Sequence, residues 1–181
     1  MLQLRLIFVF FDFYSKDLRL IRSQMGSIEE DNIIEVRGSG SSVFGDAEDN
    51  TINAYLSEGN NRIEAGTGDD LLILGRGDRL VGGDGNDSFF AGIGGDNEID
   101  GGAGADRFWI ATAQTSETAN TINDFEVGID VIGIAGLGIT FDRLSLTQVE
   151  SDTAIALGAQ ELATVSGINS NSLSENDFAF V

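Results

Sequence analysis

The chain contains no cysteine, no histidine and no proline. Without cysteine there is no disulfide framework and no thiolate metal site. Without histidine there is no His-containing serine or cysteine triad, no H-E-x-x-H zinc motif and no imidazole ligand. Any metal must therefore be held by oxygen, which favours Ca²⁺ over Zn²⁺ or Cu²⁺. Positive charge is scarce: Lys and Arg number 10 against 30 Asp and Glu, a formal net charge of −20. This argues against nucleic acid, whose affinity comes from cationic side chains on phosphates, and against anionic membranes. The only lysine is Lys16, which rules out a P-loop. The apolar run Leu6–Phe11 is far short of the roughly 20 residues a membrane helix needs, so no membrane insertion is expected.

What is present is glycine, 24 residues of it, and 41% hydrophobic residues in a chain of 181. That is too apolar for a disordered acidic tail, so the acids need water or a cation. Residues 1–25 stand apart. The first 24 carry 4 basic and 2 acidic residues, and the remainder has a net charge of −22. Three readings fit this segment: a mis-assigned start with initiation at Met25, an apolar strand or helix capping the next region, or a degenerate export signal.

From Gly26 the chain repeats with a period of about nine residues. Each unit places an acid or amide, a spacer, and then an apolar residue. The apolar positions read Ile33, Val43, Ile52, Ile63, Leu72, Leu80, Phe89, Ile99 and Phe108. The polar ones read Asp31, Ser41, Asn50, Asn61, Asp70, Asp78, Asp87, Asp96 and Asp106. A nine-residue period suits a six-residue turn followed by a three-residue strand with one inward side chain. The turns need glycine where φ is positive or chains approach closely. One unit cannot bury a single apolar residue, but a stack of units builds a continuous spine.

GGDGNDSFF (82–90) and GGAGADRFW (101–109) match G-G-x-G-x-D-x-U-x, and AGTGDDLLI (65–73) lacks only the first glycine. On these residues the chain resembles the RTX (repeat-in-toxin) calcium-binding β-roll proteins, strongly over 65–109 and more weakly over 26–64. The resemblance implies an all-β fold: a parallel β-roll (right-handed β-solenoid) over 26–109 and a β-sandwich-like C-terminal cap over 110–181. It also implies Ca²⁺ between turns n and n+2 on one edge, ligated by backbone carbonyls and Asp carboxylates. Units 5, 7 and 9 share an edge, so the expected ligands are Asp70, Asp87 and Asp106. Gly66, Gly68, Gly83, Gly85, Gly102 and Gly104 would shape those turns. On the opposite edge LGRGD (74–78) is one residue short and AGIGGD (91–96) is followed by an extra residue, so Asp78 and Asp96 are expected to share a weaker ion. Residues 26–64, with Asn50 and Asn61 in place of Asp, read as a largely metal-free part of the stack. Arg76-Gly77-Asp78 spells an adhesion tripeptide but is more simply a shortened turn.

After Trp109 the motif stops. Segment 120–138 reads as strand, turn, strand, with Ile122, Phe125, Ile129, Val131 and Ile132 expected to seal the last coil, and GAQ (158–160) reads as a hairpin turn. The end, Asn176-Asp177-Phe178-Ala179-Phe180-Val181, resembles the uncleaved C-terminal signal that RTX exoproteins present to ABC-type secretion machinery. The reading as a whole is a secreted, extracellular, calcium-binding protein with no enzymatic activity of its own. Two alternatives stay open: a non-catalytic adhesin, matrix or surface-layer scaffold, or the detached C-terminal module of a secreted hydrolase.

Overall fold

A computed structural model describes residues 5–9, 32–92 and 94–181. The expectations placed on Met25, Gly26 and Asp31 lie outside the described residues. The strands are β1 (Arg5–Val9), β2 (Asn32–Val36), β3 (Gly38–Ser39), β4 (Ser42–Phe44), β5 (Thr51–Asn53), β6 (Ser57–Gly59), β7 (Arg62–Thr67), β8 (Leu71–Ile73) and β9 (Arg79–Asp84). They continue as β10 (Ser88–Phe90), β11 (Glu98–Ala103), β12 (Arg107–Thr112), β13 (Asn120–Ile122), β14 (Val131–Ala135), β15 (Leu144–Val149), β16 (Asp152–Leu157), β17 (Gln160–Val165) and β18 (Phe178–Phe180).

From β7 to β14 successive strands alternate between two sheets, and β3 and β6 pair in a small sheet of their own. The first sheet runs β1-β2-β5-β8-β10-β12-β14-β18, parallel throughout. The second runs β4-β7-β9-β11-β13-β17 in parallel and ends in the antiparallel strands β16 and β15. The arrangement is a parallel β-roll.

Its core is two facing rows of side chains, one per strand. In the first sheet Ile34, Ile52, Leu72, Phe89, Phe108 and Ile132 stand in register. In the second, Val43, Ile63, Leu80, Ile99, Ile122 and Val165 do the same. All are fully buried, and each contributes roughly 1.5–3 kcal/mol by leaving water. Phe89 and Phe108 stack with ring centroids 5.2 Å apart.

The register corrects three assignments. Ile34, not Ile33, is the inward residue of β2, because side chains alternate and a one-residue slip inverts the strand. Val131 flanks the inward Ile132 and so points outward, and Ile129 sits exposed in a turn; Ile122, Phe125 and Ile132 alone of that group enter the core. The 109/110 boundary falls inside β12, which pairs onward with β14, so strand stacking outlasts the glycine motif. A register shift between Trp109 and Ala111 marks the transition.

Candidate metal centre

Along one edge of the roll the inward polar residues form a ladder. The Asn50 backbone N–H donates to Asp70 Oδ1 at 2.6 Å, Asp70 N–H to Asp87 Oδ1 at 2.8 Å, Asp87 N–H to Asp106 Oδ1 at 2.8 Å, and Asp106 N–H to Asp130 Oδ1 at 2.9 Å. Each aspartate therefore fixes the turn two units before it. Asp130 ends the ladder with both oxygens engaged, the second accepting Glu126 N–H at 2.8 Å. Below it, Oδ2 of Asp70, Asp87 and Asp106 is buried with no hydrogen-bond partner. The three residues are 2%, 0% and 1% exposed. An orphaned carboxylate oxygen in such a place costs free energy unless a cation meets it.

Burial is the main reason these groups resist ionisation. It pushes Asp70 up to about 7, Asp87 to about 6 and Asp106 to about 7, against backbone hydrogen bonds that pull the other way. Neighbouring carboxylates add to the rise: Asp87 on Asp70, Asp69 on Asp87, Asp130 on Asp106. Asp130 is also raised, again chiefly by burial.

The glycines explain the close stacking. Gly66, Gly68, Gly83, Gly85, Gly102 and Gly104 all have φ between 102° and 145°. A Cβ on Gly83 would fall 1.8 Å from the carbonyl oxygen of Gly66, and one on Gly104 1.8 Å from that of Gly85. Turn carbonyls thus occupy the space a side chain would need. The first glycine of the motif leaves a different cradle: a Cβ on Gly82 would sit 2.1 Å from Asp87 Oδ2 and 2.5 Å from the Gly101 carbonyl oxygen. One carboxylate and one carbonyl oxygen converge there, a donor set that fits a hard cation such as Ca²⁺. Among the described residues no three acidic side chains gather at one point, so backbone oxygens would have to supply much of any coordination.

Gly83→Ala is expected to cost more than about 3 kcal/mol and to block folding even in excess calcium, because the new methyl group meets backbone. Gly158→Ala, also at positive φ (62°) but with nothing within 4 Å, should cost only about 1 kcal/mol. Thermal melts of the two variants make the comparison.

The opposite edge has the same ladder in a different chemistry. Ser41 N–H donates to Asn61 Oδ1, Asn61 N–H to Asp78 Oδ1 and Asp78 N–H to Asn97 Oδ1, each at 2.9 Å. Asn97 N–H continues to Asn120 Oδ1 at 3.2 Å. The amides close their own accounts: Asn97 Nδ2 donates to the Gly75 carbonyl and Asn120 Nδ2 to that of Ala91. Asp78 has both oxygens engaged, Oδ1 by Asn61 and Oδ2 by the Ser57 hydroxyl. Asp96 does not occupy the equivalent place. The extra residue in its turn puts it on the exposed outside at φ 58°, and Asn97 takes the inward position. Burial of Asp78 also removes the Arg76-Gly77-Asp78 tripeptide from display.

Five residues of this framework lie off the repeat as read from the sequence: Asn32, Asn97, Asn120, Asp124 and Asp130. Asp124 receives the N–H groups of Gly101 and Gly102, each at 2.8 Å, and so holds the last glycine-rich turn from above. A second, outer ladder braces the same edge: Asp69 N–H donates to Asp49 Oδ1, Asn86 N–H to Asp69 Oδ1 and Ala105 N–H to Asn86 Oδ1, at 2.7–3.0 Å.

Fold and site together define a parallel β-roll whose stacked glycine turns set buried carboxylates along one edge. The chain belongs to the family described as Peptidase M10 serralysin C terminal, which matches residues 5–154. This is the RTX β-roll repeat region of serralysin-type proteins, a non-catalytic C-terminal domain of secreted, extracellular proteins. Similar solved structures include the solution structures of the AlgE6R2 and AlgE6R3 subunits of the Azotobacter vinelandii mannuronan C5-epimerase. The first is 22% identical over 78% of this chain and 93% of that one (TM-score 0.36), the second 20% identical over 78% and 80% (TM-score 0.37). The crystal structure of extracellular lipase LipA from Serratia marcescens is 12% identical over 86% of this chain and 41% of its own (TM-score 0.37). No curated protein matches the chain. Among the described residues no helix is long and apolar enough to cross a membrane.

Proposed function

We propose that this chain is a calcium-dependent folding module that is exported unfolded and closes its roll outside the cell. The observation that carries this reading is the row of three buried, partnerless carboxylate oxygens on Asp70, Asp87 and Asp106. Those residues, with turn carbonyls shaped by Gly66, Gly68, Gly83, Gly85, Gly102 and Gly104, would hold the ions. Calcium would supply positive charge to carboxylates that burial otherwise penalises. The opposite edge, where Asp78 is satisfied by Asn61 and Ser57 and Asp96 lies outside, supports at most a weaker site.

A ligand that binds only the folded form drives folding by mass action. Extracellular modules bind Ca²⁺ at about 10⁻⁴–10⁻³ M, so the low calcium of a cytosol would leave the chain open. The C-terminal end supports this order of events. Asp177 is buried and accepts Ser174 N–H at 2.8 Å and Gly128 N–H at 3.0 Å, and β18 pairs with β14. An export signal read from Asn176–Val181 is accessible to secretion machinery only before that strand docks.

The test is a Ca²⁺ titration of chelator-treated protein followed by far-UV circular dichroism, with Mg²⁺ as control. A cooperative gain of β signal with Ca²⁺ alone is the expected result. Full β signal in chelator, unchanged by Ca²⁺, would overturn the reading.

A further inference from the structure

On the edge that carries Asp70, Asp87 and Asp106, the turn GDAEDN (45–50) lies one rung before Asp70 and shares the frame of the later turns. Gly66, Gly83 and Gly102 stand in register, and Asp46 stacks beneath Gly66 through its carbonyl oxygen, which accepts Thr67 N–H at 2.9 Å. Gly45, Ala65, Gly82 and Gly101 therefore form the neighbouring column. A Cβ on Gly82 would sit 2.1 Å from Asp87 Oδ2 and 2.5 Å from the Gly101 carbonyl oxygen. A Cβ on Gly45 would sit 1.8 Å from the Ala65 carbonyl oxygen and 3.1 Å from Asn50 Nδ2. The two cradles correspond position by position with one exchange: an amide nitrogen stands where the later turn has an orphaned carboxylate oxygen.

The partners of Asn50 fix which way its amide faces. Nδ2 donates to Glu48 O at 2.6 Å and to Asp46 Oδ1 at 3.2 Å, and Oδ1 accepts Asn32 Nδ2 at 3.1 Å. A flipped amide would set oxygen against two acceptors and nitrogen against a donor. The amide thus makes through its own hydrogens the link to turn oxygens that a carboxylate can make only through a cation.

We propose that Asn50 sets the N-terminal limit of the ion row: its amide closes the interval between turns 45–50 and 65–70 to calcium, and a carboxylate at that position would open it. The inference rests on the calcium reading above. Its consequence is a turn that is complete without metal and orients the first carboxylate of the row. The Asn50 backbone N–H holds Asp70 Oδ1 at 2.6 Å and leaves Oδ2 to the ion. The other ligand groups are already in place around the amide. Glu48 and Ala65 present carbonyl oxygens, and Asp46 presents a carboxylate that Asn32 and Asn50 now supply with donors. A carboxylate oxygen in place of Nδ2 would lie about as close to Asp46 Oδ1 as that nitrogen does, 3.2 Å. Two carboxylates so placed repel unless a cation joins them, and with the two carbonyls they make a fuller hard-cation set than the cradle at Gly82.

Equilibrium dialysis of the full chain against calcium counts the ions bound by wild type, Asn50→Asp and Asn50→Ala. Circular dichroism in saturating calcium checks that each is folded. Asn50→Asp should bind one ion more than wild type, and its β signal should rise more steeply with calcium. Asn50→Ala loses the donor without gaining a ligand and should keep the wild-type count. An Asn50→Asp chain that folds with the wild-type count, or that does not fold in saturating calcium, overturns the proposal. So does loss of an ion from folded Asn50→Ala, which would make the native amide oxygen a ligand. The Asn50→Asp count decides the matter even where Asn50→Ala fails to fold. A wild type that binds no calcium overturns the functional reading and this inference with it, whereas calcium binding with no gain in Asn50→Asp sinks this inference alone.

Discussion

Asp87→Asn should raise the stability of the calcium-free protein and lower its response to calcium. The two halves of this result have one cause. The amide keeps Oδ1, so the bond from Asp70 N–H at 2.8 Å survives and the ladder remains intact. What changes is Oδ2, now an acceptor buried without a donor. An NH₂ group in its place can donate to a turn carbonyl, and the chain already does this elsewhere. Asn50 Nδ2 donates to Glu48 O at 2.6 Å, and Asn97 Nδ2 to Gly75 O at 3.0 Å. Exchanging a penalised carboxylate for a satisfied amide should be worth about 1–3 kcal/mol without metal, read as a larger folded fraction in chelator. At the proposed calcium site the same change would remove a ligand charge, and the folding midpoint should rise at least about tenfold. Calcium titrations of Asp87→Asn and its circular dichroism in chelator, with Asp78→Asn alongside, read both effects. Asp78 has no orphaned oxygen, so its substitution should leave the calcium midpoint near that of wild type. An unchanged midpoint for Asp87→Asn would remove the central turn from the proposed site.

The contrast between the two edges was partly legible in the sequence. Asp at 70, 87 and 106 against Asn at 61 is visible without coordinates, and so is the parity that puts units 5, 7 and 9 together. Asp96 and Ile99 are three residues apart where a rung needs two, whereas Asp31 and Ile33 keep the spacing of two but sit one residue out of register. In the structure every rung obeys one spacing, an inward Asp, Asn or Ser with the core residue two later. Asn32 precedes Ile34, Asn97 precedes Ile99, Asn120 precedes Ile122 and Asp130 precedes Ile132. Applied strictly, that spacing finds Asn97 beside the decoy Asp96 and carries the ladder beyond Trp109, where the glycines end. The glycines and the ladder answer different needs. Glycine is required only where one turn's carbonyl fills the next turn's Cβ space, as at Gly83 and Gly102. The polar-x-apolar rung is required wherever a strand stacks, so it outlives the motif. Asp124 had no such signal: it binds Gly101 and Gly102 from a loop, and only the fold brings it there.

The calcium-free roll should lose stability as pH rises, whereas its affinity for calcium should increase. In the folded chain Asp70, Asp87 and Asp106 hold protons up to about 7, 6 and 7, against an ordinary value of 3.8. A folded state that keeps protons the unfolded chain has released is favoured by acid. The contribution is complete below about pH 4 and is lost as pH climbs through about 6 to 7, after which each buried carboxylate is charged and uncompensated. At the proposed sites calcium and protons would compete for the same oxygens, so deprotonation that weakens the empty roll would prepare it for the ion. In chelator the folded fraction should fall between about pH 5 and pH 8, and the calcium midpoint should fall over the same interval. General repulsion in a chain of net charge −20 also relaxes in acid, so the ladder's share must be separated from it. Asp87→Asn, tested for this purpose, changes the net charge by one unit and removes one of the three raised groups. If the ladder dominates, the variant's folded fraction in chelator should depend on pH less steeply than that of wild type by a sizeable fraction. If diffuse repulsion dominates, wild type and variant will run parallel, and the ladder is then not what couples this fold to acid.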